Sequence, residues 1–155
     1  MERLRKEKPQ LMLLEETKII RGRMEEILNK ISNPMIITSW NIRGLNSRGK
    51  QRHLVEGLRK EKPQLMVLQE TKLTGGRMEE ILSKIKPRYE CMTIDAKGSA
   101  GGIAILWNPG DITVDYWMTM KRILMQRFRL IGNREWFLVF TVYGPHILVE
   151  KGNFP

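Results

Sequence analysis

Two apolar runs separated by one helix-length stretch set the strongest limit on how this chain folds. MIITSW (residues 35–40) is β-branched and apolar, as a buried strand is. NIRGLNSRGK (41–50) is a loop by its Gly, Asn and Ser content. A helix is predicted to follow to about Lys60, with Leu54, Val55 and Leu58 on its inner face, and Pro63 stops it. QLMVLQE (64–70) then reads as a second buried strand. Two such strands joined through a helix predict a parallel βαβ unit, because parallel pairing needs a long crossover. A second helix is predicted in GGRMEEILSKIK, where Met78, Ile81, Leu82 and Ile85 share a face and Thr74 or Gly75 sits near the cap.

Beyond Pro87 the rhythm changes to YECMTI, GGIAILW, ITVDYWMTM, ILMQRFRLI and EWFLVFTVY, all strand-like. NPGD at 108–111 fits a type II turn with Gly110 at positive φ, and Gly132-Asn133 fits a two-residue hairpin. Three of the four Trp and four of the ten Met fall in these strands, where core packing is the expected use. The coarse architecture is mixed α/β with a meander in its later part.

The chain also repeats itself. Residues 2–31 match residues 56–85 at 23 of 30 positions. Two copies are too few for a solenoid, which needs about three repeats to bury a continuous core. The first copy has no counterpart of MIITSW or of the loop after it. Its strand QLMLLEE either competes for the place of QLMVLQE in the sheet, or the segment forms a loosely attached helical arm. The second copy closes the shorter loop, which favours an arm for the first. The expected division is a duplicated helix–strand–helix segment over 1–34, loosely packed, and one domain over 35–155.

Charge narrows the function. The formal net charge is +10, and residues 35–155 hold 19 Lys and Arg against 11 Asp and Glu. Such chains meet phosphates or are basic only for solubility. No apolar run approaches the roughly 20 residues of a membrane span. The charged start MERLRKEKPQ has no apolar h-region, so no secretory signal is expected, and the single Cys91 excludes an internal disulfide; an intracellular setting is expected.

Candidate chemistry sits at strand ends. Asn41 follows the first strand and Glu70 ends the second, so parallel neighbours would bring both to one edge, where open α/β sheets place ligands. A carboxylate there suits Mg²⁺, with an amide beside it to orient a phosphate. On spacing alone, a cap or turn former is the commoner use of such residues. Arg43, Arg48, Lys50 and Arg52 crowd the following loop without an acid among them. They could touch nucleic-acid phosphates or simply solvate the loop.

SWNIRGLN, LQETK, GGIAILW and TVYGP, in that order, resemble the endonuclease/exonuclease/phosphatase superfamily. The wording is most similar to the apurinic-type endonuclease of plant LINE-type (non-LTR) retrotransposons, and the resemblance covers residues 35 to about 146. It implies the N-terminal half of a four-layered α/β sandwich of the DNase I-like kind, incomplete here, in the nucleus. It implies Mg²⁺-dependent (or Mn²⁺-dependent) phosphodiester hydrolysis of DNA. Asn41 matches the residue that positions phosphate and metal, Glu70 the metal ligand, and Tyr143 the residue whose hydroxyl contacts the phosphate.

The departures are as informative. The family continues with a GDFN-type strand end and closes with an Asp-His pair, whereas this chain has KGNFP near its end. His53 falls in the first predicted helix and His146 directly after TVYGP, so neither takes the terminal histidine's place. The expectation is therefore a truncated endonuclease domain, inactive alone and completed, if at all, by a chain supplying the missing half. With each half of the family fold supplying one sheet, the inner face of this one would be bare. The alternative is a non-catalytic basic nucleic-acid-binding remnant. An inositol-lipid phosphatase is disfavoured by the LINE-like wording, and no membrane partner is expected.

Overall fold

A computed structural model describes residues 10–15, 18–19, 35–74, 76–84, 89–98, 100–120 and 122–142. The elements run β1 (Gln10–Glu15), β2 (Lys18–Ile19), β3 (Ile37–Asn41), α1 (Arg48–Glu61), β4 (Leu65–Gln69) and α2 (Arg77–Leu82). They continue with β5 (Glu90–Ile94), β6 (Ile103–Trp107), β7 (Ile112–Met120), β8 (Ile123–Leu130) and β9 (Phe137–Val142).

The predicted βαβ unit forms as expected. β3 lies parallel to β4, with Ile37 opposite Leu65 and Asn41 opposite Gln69. The helix between them starts where Ser47 accepts a hydrogen bond from the Lys50 amide at 3.3 Å, a side-chain N-cap. The loop is therefore shorter than its composition suggested, and Arg48, Lys50 and Arg52 stand on α1. Lys62 ends the helix in the left-handed region at φ 46°, directly before Pro63. In α2 the cap is Gly76, not Thr74 or Gly75, and Met78, Ile81 and Leu82 are buried as expected; Ile85 lies outside the described residues.

The strands form two sheets, ordered β3-β4-β6-β5 and β2-β1-β9-β8-β7. All five residues of β4 and of β6 are buried, as happens when a sheet is covered on both faces. On one face Met66, Leu68, Ala104 and Leu106 pack with Leu54 and Leu58 of α1 and with Met78 and Ile81 of α2. On the other, Leu65, Val67, Ile103 and Ile105 meet Leu124, Phe128, Phe137 and Val139 of the second sheet. The bare inner face expected from the sequence is thus corrected. The meander β7–β9 folds over the βαβ sheet and covers it, so this chain supplies both sheets of the sandwich. Among the described residues the layers are helices, sheet, sheet.

Two turns differ from expectation. Gly110 is not at positive φ; its amide donates to Asn108 Oδ1 at 2.9 Å and Asp111 N donates to Asn108 O at 3.0 Å, an Asx-stabilised turn. Between β8 and β9 the connection spans residues 131–136, not two residues, with Gly132 at φ 86° and Asn133 N bonded to Leu130 O.

The first copy of the repeat takes a place that neither sequence alternative named. β1 adds parallel to β9, from Gln10 opposite Phe137 to Glu15 opposite Val142, and β2 pairs antiparallel with β1. The rest of residues 1–34 lies outside the described residues.

The connections fix which strand ends share an end of the sandwich. Asn108 N donates to Gln64 O at the start of β4, and the turn over 108–111 carries the chain from β6 into β7 of the other sheet. There Ile112 faces Leu130, and Phe128 faces Phe137 at the start of β9. β3, β4 and β9 therefore start at one end and finish together at the other.

One buried group stands out in the second sheet. Gln126 of β8 is 0 % exposed, and neither its Oε1 nor its Nε2 has a hydrogen-bond partner. Such a group costs stability. Gln126→Met should raise stability by about 1–3 kcal/mol, read as a higher urea midpoint with an unchanged slope. A lower midpoint would mean that the amide is satisfied in solution.

Candidate functional site

The site is built on the shared finishing end. The β3–β4 ladder continues beyond the strands: Ile42 N donates to Gln69 O at 3.0 Å, Gly44 N to Glu70 O at 2.6 Å and Leu45 N to Thr71 O at 2.8 Å. Asn46 Nδ2 adds a bond to Lys72 O at 3.1 Å. From the other side Thr71 N and Lys72 N donate to the carbonyls of Gly102 and Gly101 at 3.1 and 2.9 Å. The segment that carries Glu70 is laced between two loops. Glu70 itself adopts φ 55° and Lys72 φ 54°, unusual values for residues with side chains. Strained backbone held by its surroundings is common at functional sites.

Glu70 is buried, at 9 % exposure, and is among the residues that make further contacts. Asn41, one strand over, is half-buried, and its Oδ1 is shielded from solvent without a hydrogen-bond partner. The structure thus brings together the two residues that the sequence pairing predicted. Tyr143 follows β9 directly and lies outside the described residues.

The basic group divides. Lys50 Nζ donates to the carbonyls of Ile42 at 2.8 Å and Arg43 at 2.9 Å, so it clamps the loop beside Asn41. Arg43 is exposed in that loop at φ 51°. Arg48 and Arg52 are exposed on α1 and line a groove with Arg59 and Lys84, on the helical layer. His53, also on α1, lies against Trp40 at a ring distance of 5.9 Å.

Several residues escaped the sequence reading. Gln69 and Thr141 are 0 % exposed and their side-chain polar atoms have no hydrogen-bond partner. Gln69 shares a face with Leu65 and Val67, and Thr141 with Phe137 and Val139, so both belong to the inner faces near the finishing end. The available signal was a polar residue inside an otherwise buried apolar run. The β7–β8 hairpin forms from the two expected strands, but the expected core packing of its Trp and Met residues fails on β7. Tyr116, Trp117 and Met120 are about half exposed, not core, because the register slips between Val114 and Tyr116 and β7 is an edge strand. Ile123 faces Val142, so the hairpin tip stands at the same end as Asn41 and Glu70.

Cys91 is not a candidate nucleophile. Burial, with Glu79 and Glu90 nearby, pushes its thiol up to about 11, so it stays protonated at neutral pH.

No group of three or more His, Cys, Asp or Glu residues that could hold a metal occurs among the described residues. A buried carboxylate and an unpartnered amide oxygen at the same end of the β3–β4 pair are nonetheless oxygen donors of the kind that suits Mg²⁺, which keeps several waters and uses one or two carboxylates. It does not suit zinc, whose structural sites need four protein ligands and catalytic sites three.

These layers and the parallel β3–β4 edge form a DNase I-like α/β sandwich. The chain is similar to the human Nocturnin catalytic domain, at 12 % identity and TM-score 0.59, over 76 % of this chain and 52 % of that one. It is similar to the catalytic domain of Xenopus laevis APE2, at 21 % identity and TM-score 0.56, over 74 % of this chain and 46 % of that one. A third is the Bacteroides thetaiotaomicron mannosyl-6-phosphatase, at 14 % identity and TM-score 0.55, over 73 % and 52 %. The chain thus spans about half the length of these structures. No family model and no curated protein sequence matches it. No helix among the described residues is long and apolar enough to cross a membrane.

Proposed function

We propose that this chain is part of a DNA endonuclease domain of the non-LTR retrotransposon type, working in the nucleus. It binds a divalent cation and the DNA backbone but does not complete hydrolysis alone. The observation that carries the reading is the meeting of Asn41 and Glu70 at the end of the parallel β3–β4 pair, on a segment laced from both sides.

In this reading Glu70 holds Mg²⁺ or Mn²⁺, Asn41 orients the phosphate, and the Tyr143 hydroxyl contacts it. The cation, when bound, polarises the phosphoryl oxygen and stabilises charge on the leaving oxygen. Arg43 stands nearest for backbone phosphates, with Lys50 holding its loop and Arg48 and Arg52 extending the basic surface along α1. Water activation needs a base in hydrogen-bond reach of the water. The imidazole of His53 lies tilted against Trp40 in the helical layer instead, and the only other histidine is His146. Residues beyond this chain supply the base. A non-catalytic basic nucleic-acid-binding role is the second reading, favoured by the lack of a three-ligand acidic cluster among the described residues.

The test is nicking of supercoiled plasmid and of an abasic-site duplex with Mg²⁺, beside binding of the same duplex over a salt series. The expected result is folded protein that binds with salt-weakened affinity and does not nick. Nicking abolished by Glu70→Ala would overturn the claim that hydrolysis needs residues beyond this chain. Absence of binding at low salt would remove DNA as the partner.

A further inference from the structure

The arginines differ in what holds them. Arg127 is bound by Asp115, Arg77 by Glu80 at 3.2 Å, and the Arg129 guanidinium lies 4.7 Å from the Trp136 ring centre. Arg48 and Arg52 have no such partner. Neither forms an ion pair with another described residue, although Glu56 stands one turn beyond Arg52 on the same helix. Lys84, exposed after α2, is likewise without an ion pair among the described residues.

These side chains line one open groove of about 430 Å³ between α1 and α2. Arg48, Arg52 and Arg59 of α1 and Lys84 set four cations there against Glu56 alone. Arg59 Nη2 donates to Lys84 O at 3.4 Å and ties the two walls together at one end. The connections give the groove a direction. β3 finishes at the candidate site and α1 carries the chain back towards the start of β4, so Arg48 stands at the site end and Arg59 at the far end. The two are separated by roughly 16 Å of helix. α2 leaves the same end after β4, which brings Lys84 to the far end beside Arg59.

A row of uncommitted cations leading away from the site matches the regular negative charge of a nucleic-acid backbone. An acidic peptide would need apolar anchors, and the groove offers little: Val55 is half-buried and Ile81 is 3 % exposed. The bound chain must also turn from the end of the sandwich onto its helical side. A duplex, with a persistence length of about 150 base pairs, does not turn so sharply, whereas a single strand does.

We propose that this groove takes the phosphate backbone of a single strand leaving the duplex held at Asn41 and Glu70. No aromatic residue lines it to stack on bases, so the contact is independent of sequence. The proposal rests on the DNA-binding reading above and extends it to a second surface.

The experiment is fluorescence anisotropy of the full chain with a blunt duplex and with the same duplex carrying a single-stranded tail of roughly ten thymidylates, at the 3′ or the 5′ end, enough to span the groove. The wild-type protein is compared with Arg59→Gln and Lys84→Gln, singly and together, at the end of the groove away from the duplex. Near-ultraviolet circular dichroism confirms that each variant is folded. Expected is at least fivefold tighter binding of one tailed duplex than of the blunt one, lost in the double variant, with blunt-duplex affinity within twofold of wild type. The double variant should also lower the salt slope for the tailed duplex by about 1.4, at about 0.7 for each phosphate contact of a single strand. Each single variant should reduce the tail's advantage by itself, so the test stands if the pair together unfolds the chain. Equal wild-type affinity for tailed and blunt duplexes overturns the proposal while the DNA reading stands, as does an advantage that survives in the folded double variant. Polyglutamate that displaces the tail as well as oligothymidylate does, at equal charge concentration, assigns the groove to acidic peptides and overturns it too. No binding of either duplex at low salt overturns both readings.

Discussion

Gly102→Ala is expected to destabilise the protein by roughly 2–4 kcal/mol and to disturb the site with it. Gly102 holds φ +90°, a conformation that residues with a Cβ rarely adopt. An added Cβ would stand 2.3 Å from Thr71 Oγ1 and 3.1 Å from Lys72 N. The second contact is with backbone, which cannot swing aside. The Gly102 carbonyl also accepts from Thr71 N, so any retreat of this loop loosens the segment that carries Glu70. Urea unfolding followed by tryptophan fluorescence measures the cost. Adding Thr71→Ala should restore part of the loss, because it removes the closer of the two contacts and leaves the backbone strain. A change below about 0.5 kcal/mol, the range of ordinary surface substitutions, would show that the close approach does not exist in solution.

Phe128→Ala should cost about 3–5 kcal/mol, a large share of the 5–15 kcal/mol that holds a typical domain together. Phe128 is 0 % exposed and stacks on Phe137 with centroids 5.5 Å apart. Both belong to the core shared by the two sheets, so truncation opens a cavity at the contact that closes the sandwich. Ile131→Ala, at a residue 57 % exposed, serves as the comparison and should stay within about 0.5 kcal/mol. Equal effects from the two substitutions would mean that the meander does not pack on the βαβ sheet, as the bare-face expectation required.

The βαβ unit was legible because its signals are local. Apolar runs of strand length, helical spacing from Leu54 to Leu58 and Pro63 after the helix all act within a few residues of themselves. Parallel pairing then follows from the crossover, and with it the meeting of Asn41 and Glu70. Turn chemistry was less legible. The Asn108 side chain could take the Gly110 amide itself, and this removed the need for positive φ at the glycine. ITVDYWMTM is the strand its pattern predicts, but Trp117 and Met120 are not core, because apolar content says nothing about whether a strand is central or at an edge. The bulge after Val114 leaves Tyr116 and Trp117 outside the core.

The sequence by itself determined the strands, the helices and the order of the residues that face one another across β3 and β4. Only the tertiary structure decided what the first copy of the repeat does. Strand pairing is satisfied by any free edge of suitable register, so near-identical words can join β3 in one sheet and β9 in another. The second copy has β3 close in sequence and a helix to close the crossover. The first copy has neither, and the open edge of β9 receives it. Which polar residues become buried without partners was likewise set by the closing of one sheet over the other, a contact between segments distant in the chain.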